Sequence, residues 1–478
     1  MPVATGTAGR QNGSRSAGQN QTSPKIANRQ IKGASSVKIG LVSLGCSKNL
    51  VDSELMLGAL RAAGYITTDE LDQAEILIVN SCGFIESAKR ESIETLLRLA
   101  EFKQTGICRV LILAGCLGQR YSSDLMNDLP EIDAIVGTGA WNRLPEAIQA
   151  ALQGMRTVFT EGNAILPDSA MPRIRSTPDY LAYVKIAEGC NHSCSFCAIP
   201  QIRGPLISRS IESVRQEVLQ LVAEGVREIN LVAQDTTSYG IDLYGKPRLV
   251  ELLKELCSIE GRFWLRILYS YPKNFSAELI QLIATESKIC KYVDIPLQHV
   301  HDDLLQAMRR PDRRRDIEKL IANLRSAIPD VAIRTTFIVG LPGETEEHYQ
   351  ELRTFVEDKR LDHVGVFVYS PEEGTAAAEF ANQVDEEIKA ERYDDLMAVQ
   401  AAISEAINRA AEGKIYDAIV EDHDAEDQSL AHGRTCREAP DIDGTVYIEN
   451  AADIAVGDFV SVRITQGFCY DRMAEVVE

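Results

Sequence analysis

Between Val37 and Cys116 one arrangement occurs three times: an apolar run that leads through a few residues, most of them small, to a cysteine. Lys38 to Leu44 leads to Cys46, Glu75 to Asn80 leads to Cys82, and Arg109 to Ala114 leads to Cys116. After the first two, Asp52 to Ala63 and Ile85 to Ala100 carry apolar residues at helical spacing, and Gly64 closes the first stretch. Strands that alternate with helices specify a parallel sheet.

In an open parallel sheet the loops beyond the carboxyl ends of the strands gather along one edge, where ligands bind near the point at which strand order reverses. Cysteines at equivalent strand ends therefore converge in space, although about 35 residues separate them in sequence. Free cysteine is among the most buried residue types, so three packing residues is the plainer reading. It does not account for one offset occurring three times; ligation of an iron-sulfur cluster by Cys46, Cys82 and Cys116 does. The chain has 11 cysteines and no apolar export signal, which points to metal or catalytic use rather than disulfides. Cys108, which precedes its strand, reads as packing, as do Cys257 and Cys290 near helix ends.

A second group, Cys190, Cys194 and Cys197, follows the strand-like Tyr183 to Ala187 with C-x3-C-x2-C spacing. Zinc sites usually pair two C-x2-C knuckles, and the chain has no second one. Three thiolates can instead hold three irons of a 4Fe-4S cluster and leave the fourth iron open. This spacing after a first strand resembles the radical S-adenosylmethionine enzymes. The following Ile199-Pro200-Gln201-Ile202-Arg203-Gly204 resembles their methylthiotransferase branch. The resemblance implies that Cys190, Cys194 and Cys197 are the catalytic ligands, that the open iron takes the amino and carboxylate groups of S-adenosylmethionine, and that its cleavage yields a 5'-deoxyadenosyl radical.

Strand candidates Glu228 to Val232, Trp264 to Leu268, Tyr292 to Ile295, Ala332 to Val339 and Val364 to Tyr369 alternate with helix candidates Ile211 to Glu224, Leu249 to Ser258, Ser276 to Thr285, Asp316 to Ala327 and Glu346 to Lys359. With Tyr183 to Ala187 they give a partial (β/α)6 barrel whose site lies at the strand carboxyl ends, by analogy with full barrels. Phe337 to Glu344 ends the fifth strand with Gly340 and Gly343, where backbone can approach a ligand. The family resemblance places Gln234 and Asp235 against the methionyl end of the cofactor and Gly340 and Gly343 in its binding segment. Ordinary turn chemistry explains these four residues equally well. His299 and His301 fit solvated or core histidines better than metal ligands, because no carboxylate or cysteine spacing completes a site.

The segments group into a tail (residues 1–36), a flavodoxin-like parallel sheet carrying the first cluster (37–150), the radical barrel (176–410) and a small antiparallel β-barrel (412–478). The tail is rich in Gly, Ser, Gln and Asn, contains no acidic residue and reads as disordered; the apolar face of a transit peptide is missing. Apolar runs such as Ile76 to Val79 are strand-sized, far below the roughly 18 residues of a membrane span, so a cytoplasmic protein without a membrane partner is expected.

Asp417 to Val420, Gly444 to Ile448, Gly457 to Ile464 and Met473 to Val477 are the strand candidates of the last segment, which resembles the TRAM module at the end of methylthiotransferases. That module usually binds RNA. Here Glu412 to Glu478 holds 16 acidic and 5 basic residues, in a chain of net charge -20. Such a surface repels nucleic-acid phosphates and favours a basic protein; a merely solvated acidic face is the alternative.

Gly45-Cys46-Ser47-Lys48-Asn49 resembles the methylthiotransferases that modify an aspartate of ribosomal protein S-twelve, whereas the tRNA-modifying branch tends to carry Gly-Cys-Gln-Met-Asn. Gly433 to Gly444 also resembles the aspartate branch, although Cys436 and Arg437 depart from it. The resemblance implies two 4Fe-4S clusters, S-adenosylmethionine as methyl and radical source, an electron donor such as flavodoxin or ferredoxin, and a separate sulfur source. A tRNA adenosine methylthiotransferase and a noncatalytic iron-sulfur carrier are the alternatives. Functionalising an unactivated C–H bond offers a general base no acidic proton, which is the chemical reason for a radical cofactor.

Overall fold

The computed structural model describes residues 37–162 and 165–477; the tail assigned to residues 1–36 lies outside them. β1 (Lys38–Ser43), β2 (Ile66–Thr67), β3 (Ile76–Ser81), β4 (Val110–Gly115), β5 (Ala134–Val136) and β6 (Thr157–Phe159) form a parallel sheet in the order β2-β1-β3-β4-β5-β6. Every residue of β3 and β4 is buried, as parallel strands covered on both faces require. Strand order reverses between β1 and β3, so the loops carrying Cys46 and Cys82 flank the switch point. β5 and β6 have three residues each, too few to show a period in sequence.

β7 (Leu181–Lys185) begins the second unit. β8 (Ala187–Glu188) and β9 (Ile207–Ser208) form a small antiparallel pair beside it. β7, β10 (Glu228–Val232) and β11 (Trp264–Ile267) form one parallel sheet, and β12 (Tyr292–Asp294), β13 (Ala332–Val339) and β14 (His363–Val368) form another. The Cys290 amide donates to the Leu265 carbonyl at 2.9 Å and links the two into a six-stranded partial barrel. Helices Ile211–Ala223, Leu249–Cys257, Ala277–Thr285, Arg314–Ala327 and Glu346–Lys359 separate the strands. Ser210, Ser276 and Thr345 cap three of them by accepting a backbone N–H.

β15 (Ile415–His423), β16 (Ala431–Thr435), β17 (Val446–Glu449), β18 (Phe459–Gly467) and β19 (Arg472–Val476) close into a barrel. A ring with an odd number of strands cannot alternate direction throughout; here β17 and β19 run parallel and the other pairs antiparallel.

This small barrel packs beneath the amino ends of the central strands. Glu228, the first residue of β10, accepts from Arg266 at 2.8 Å and from Arg434 of β16 at 2.7 Å, and all three side chains are buried. Tyr292 donates to Asp443 at 2.6 Å, and Trp264 meets Phe459 edge-on with centroids 4.9 Å apart. The acidic segment therefore sits at the end of the strands opposite the cysteine loops. Among the described residues no helix is long and apolar enough to cross a membrane.

Candidate active site

The loops after β1, β3 and β4 carry Cys46, Cys82 and Cys116 to one sheet edge. Cys46 occupies the N-cap position of helix Ser47–Ala62, and Cys116 is the first residue of helix Cys116–Asp128. Gly45 has φ +88°, and a Cβ there would lie 3.0 Å from Cys82 Cβ, so the turn needs glycine for both conformation and space. Asn49 fixes the loop by donating to the Leu44 and Ser81 carbonyls at 3.1 and 2.9 Å.

The second triplet follows β8. Gly189, with φ +77°, lets the Pro205 carbonyl pass 2.1 Å from where a Cβ would stand. Ser195 anchors the loop by donating to the Ala307 carbonyl at 2.8 Å and accepting Ala377 N–H on its own carbonyl at 2.8 Å. The His192 ring stacks on Tyr271 at 3.9 Å, and its Nε2 lies 2.7 Å from Asp235.

One cavity of about 410 Å³ is lined by all six cysteines. Its wall comes from both units: Lys48 and Asn49 from the first, and Arg203, Gln234, Tyr269 and Arg310 among those from the second. Tyr269 and Gln298, both at the cavity, have φ of 62° and 73°, conformations that persist only where surrounding structure enforces them.

A buried ionic network joins the triplets. Arg203 donates to Cys116 Sγ at 3.2 Å, to Asp52 at 2.7 Å and to Glu188 at 3.1 Å, and it also bonds Asn49. Lys185 bonds Asp52 and donates to Glu188 at 2.6 Å. Burial opposes the Glu188 charge, but Arg203 and Lys185 outweigh it and hold the carboxyl down at about 2. Desolvation by the surrounding loops works against a Cys46 thiolate although the residue itself is exposed; Lys48, Arg203 and the Asn49 and Lys48 amides overcome it and lower this thiol. At the other five thiols burial outweighs the nearby amides and guanidiniums: it raises Cys116 despite Arg203 and Cys194 despite Arg310, and pushes Cys82 and Cys190 up to about 11 and Cys197 to about 12.

Family models match three stretches: the Uncharacterized protein family UPF0004 at residues 38–137, the Radical SAM superfamily at 184–356 and the TRAM domain at 413–477. A protein of Desulforamulus reducens named ribosomal protein uS12 methylthiotransferase RimO is 49% identical over 441 residues, spanning 92% of this chain and 99% of the relative. Its namesake in Geobacter sulfurreducens is 49% identical over 442 residues, 92% and 98% of the two chains. This chain belongs to the RimO methylthiotransferase family. It is a radical S-adenosylmethionine enzyme with a 4Fe-4S cluster, and a second cluster is typical of methylthiotransferases. The fold is shared more distantly with the radical S-adenosylmethionine methyltransferase TsrM from Kitasatospora setae, at TM-score 0.54 and 15% identity over 72% of this chain and 77% of that one.

The residues present fit this chemistry. Two sets of three thiols each leave a cluster one position short of full protein ligation. Gln234 Nε2 donates to Glu188 at 2.5 Å while its Oε1, buried at the cavity, has no partner; Arg310 Nε is likewise buried and unpartnered. The methionyl end of S-adenosylmethionine carries an amino group whose N–H suits the first and a carboxylate that suits the second.

Of the other residues singled out by sequence, Asp235 lines the cavity but its carboxylate is occupied, accepting from Thr237, Ser238 and His192 as the cap of a 3-10 turn. Gly340 and Gly343 are not in the cavity wall. The Gly340 amide donates to Glu344 at 2.7 Å, and the space a Cβ would need is filled by Lys389. His299 is a buried core residue whose Nδ1 accepts His301 N–H at 3.0 Å. His301, Asp303 and His348 bring potential ligand atoms within 4.8 Å of one another, but each of the two imidazoles already accepts a backbone N–H on Nδ1, which puts the proton on Nε2. Cys108 and Cys290 are buried packing residues.

Sequence reasoning assigned no role to Asp52, Lys185, Glu188, Arg203 or Arg310. The visible signal was Lys185 and Glu188 set in the otherwise apolar run Leu181 to Ala187 and its end, since charges there need buried partners.

Proposed function

We propose that this methylthiotransferase places a methylthio group on the β-carbon of an aspartate in ribosomal protein uS12, with Cys46, Cys82 and Cys116 holding one 4Fe-4S cluster and Cys190, Cys194 and Cys197 the other. The observation that carries this reading is the single cavity lined by all six cysteines. Bound there, the clusters and S-adenosylmethionine supply a methylated sulfur and a radical able to take hydrogen from an unactivated carbon. The protein's own part is to bring both to one substrate carbon and to exclude water. Gln234 Oε1 accepts from the amino group of the cofactor and Arg310 donates to its carboxylate, while the stacked pair His192 and Tyr271 walls the second triplet.

The relatives at nearly half identity act, by their names, on uS12, and the net negative C-terminal barrel supports a basic protein over tRNA. Because that barrel sits beneath the amino ends of the strands, any hold it takes on the partner is remote from the reacting carbon. A cytoplasmic setting, a flavodoxin or ferredoxin as reductant and a separate sulfur source complete the proposal.

The test incubates the reconstituted protein, S-adenosylmethionine, sulfide and a reductant with uS12 or, separately, with unmodified tRNA, and follows both by mass spectrometry. A methylthio increment on uS12 with tRNA unchanged supports the reading. Methylthiolated nucleoside with unmodified uS12 assigns the chain to the tRNA-modifying branch, and absence of 5'-deoxyadenosine points to an iron-sulfur carrier.

A further inference from the structure

A substrate carboxylate taken into an enclosed cavity needs a cationic partner there, because an unpaired buried charge is strongly unfavourable. Three basic side chains line the cavity: Lys48, Arg203 and Arg310. Arg203 is already committed to Asp52, Glu188 and Asn49. Arg310 lies over the Tyr271 ring at 4.4 Å, donates to the Pro296 carbonyl at 2.9 Å and sits beside Cys194, which places it at the second triplet.

Lys48 differs from both. The residue is 8% exposed, and among the described residues its ammonium forms no ion pair with a carboxylate; its one side-chain partner is Tyr269. Its Nζ lies 3.2 Å from the centroid of the ring of Tyr269, a residue of the second unit held at positive φ. Ser47 Oγ is 3.4 Å from the Tyr269 hydroxyl, so the first turn of helix Ser47–Ala62 and the end of β11 meet at this point. A cation–π contact orients an ammonium without neutralising it. Lys48 stands two residues from Cys46, on the side of the cavity where the substrate carbon must meet sulfur.

We propose that the Lys48 ammonium, held against Tyr269 beside the first triplet, receives the side-chain carboxylate of the aspartate being modified. This rests on the uS12 reading above and deepens it: Lys48 is the residue that selects an acidic side chain and aims its β-carbon at the sulfur. A cation serving only to balance the charge of the first cluster would be indifferent to the substrate side chain, and that difference makes the two roles separable.

The experiment uses the reconstituted full chain and measures Kd for uS12 and for uS12 with the target aspartate changed to asparagine, in wild type, Lys48→Met and Lys48→Arg. Iron and sulfide per chain are measured on every sample. Wild type should bind the asparagine form at least about tenfold more weakly than the aspartate form. Lys48→Met should lose the same factor on the aspartate form, show little difference between the two substrates, and keep its iron. Lys48→Arg should restore part of the discrimination.

Equal binding of uS12 by Lys48→Met and wild type overturns the proposal, as does an equal loss on both substrates. Loss of iron in Lys48→Met with aspartate discrimination retained assigns the lysine to the cluster and likewise overturns it. A wild-type protein that neither binds nor modifies uS12 overturns the function itself together with this inference, whereas wild-type modification with unchanged Lys48→Met binding leaves the function standing.

Discussion

Arg203 Nη2 lies 3.2 Å from Cys116 Sγ, so a guanidinium from the radical barrel touches a thiol of the N-terminal sheet. The same side chain reaches Asp52 and Glu188, one from each unit. With Lys185 on Asp52 and Lys48 against Tyr269, this contact joins the two cysteine loops into one site.

Arg203→Met should therefore cost about 3 to 5 kcal/mol of stability, because it leaves Asp52 and Glu188 buried with Lys185 as their remaining strong partner. Chemical denaturation of the apoprotein measures this. In the reconstituted protein, losing a positive donor beside a cluster thiolate disfavours the more negative, reduced state. Redox titration should show a lower potential for one cluster and an unchanged potential for the other.

The small barrel is held by Glu228 between Arg266 and Arg434, all three buried. Glu228→Ala leaves the buried Arg266 without an acid and Arg434 with Glu421 alone, and should destabilise the protein by about 3 to 5 kcal/mol. Limited proteolysis should cut near Glu412 in the variant before it cuts in wild type.

His299 supplies a pH dependence. Its ring is fully buried, and burial, reinforced by His301, His348 and Arg392, pushes its pKa from the ordinary 6.5 down to about 3. The folded state holds it neutral while the unfolded state takes up a proton, so its contribution is intact above about pH 6.5 and is lost as pH falls toward 3. Between pH 7 and pH 5 this amounts to about 2 kcal/mol. His299→Gln should show a smaller loss of stability over that interval than wild type, whatever its stability at pH 7.

Much of this was legible in the sequence because its causes are local. Buried parallel strands such as β3 and β4 are largely apolar runs, and the runs ending at Leu44, Asn80 and Ala114 each stop two residues before a cysteine, so a sheet edge with a triplet follows from spacing, although Cys46 lies three residues past β1 and Cys82 and Cys116 one past β3 and β4. The C-x3-C-x2-C loop needs no tertiary information either. Residues whose partners lie far along the chain were not legible: Asp52 with Lys185 and Arg203, Lys48 with Tyr269. No period or turn signal connects positions 133 or more residues apart. β16 was missed as a strand because Ala431 to Thr435 is largely polar, with Arg434 turned inward to Glu228. Gly340 and Gly343 looked like places for a ligand to approach, and at Gly340 the approaching group is Lys389.

The central claim is that the two triplets act together on uS12. The most direct measurement is peptide mass spectrometry of uS12 from cells of the source organism, from cells lacking this gene, and from the latter complemented with wild type, Cys82→Ala or Cys194→Ala. The account predicts an increment of about 46 Da on one aspartate, absent in the deletion, restored by wild type and by neither cysteine variant. Full modification by either variant, or an unchanged uS12 mass in the deletion, contradicts it.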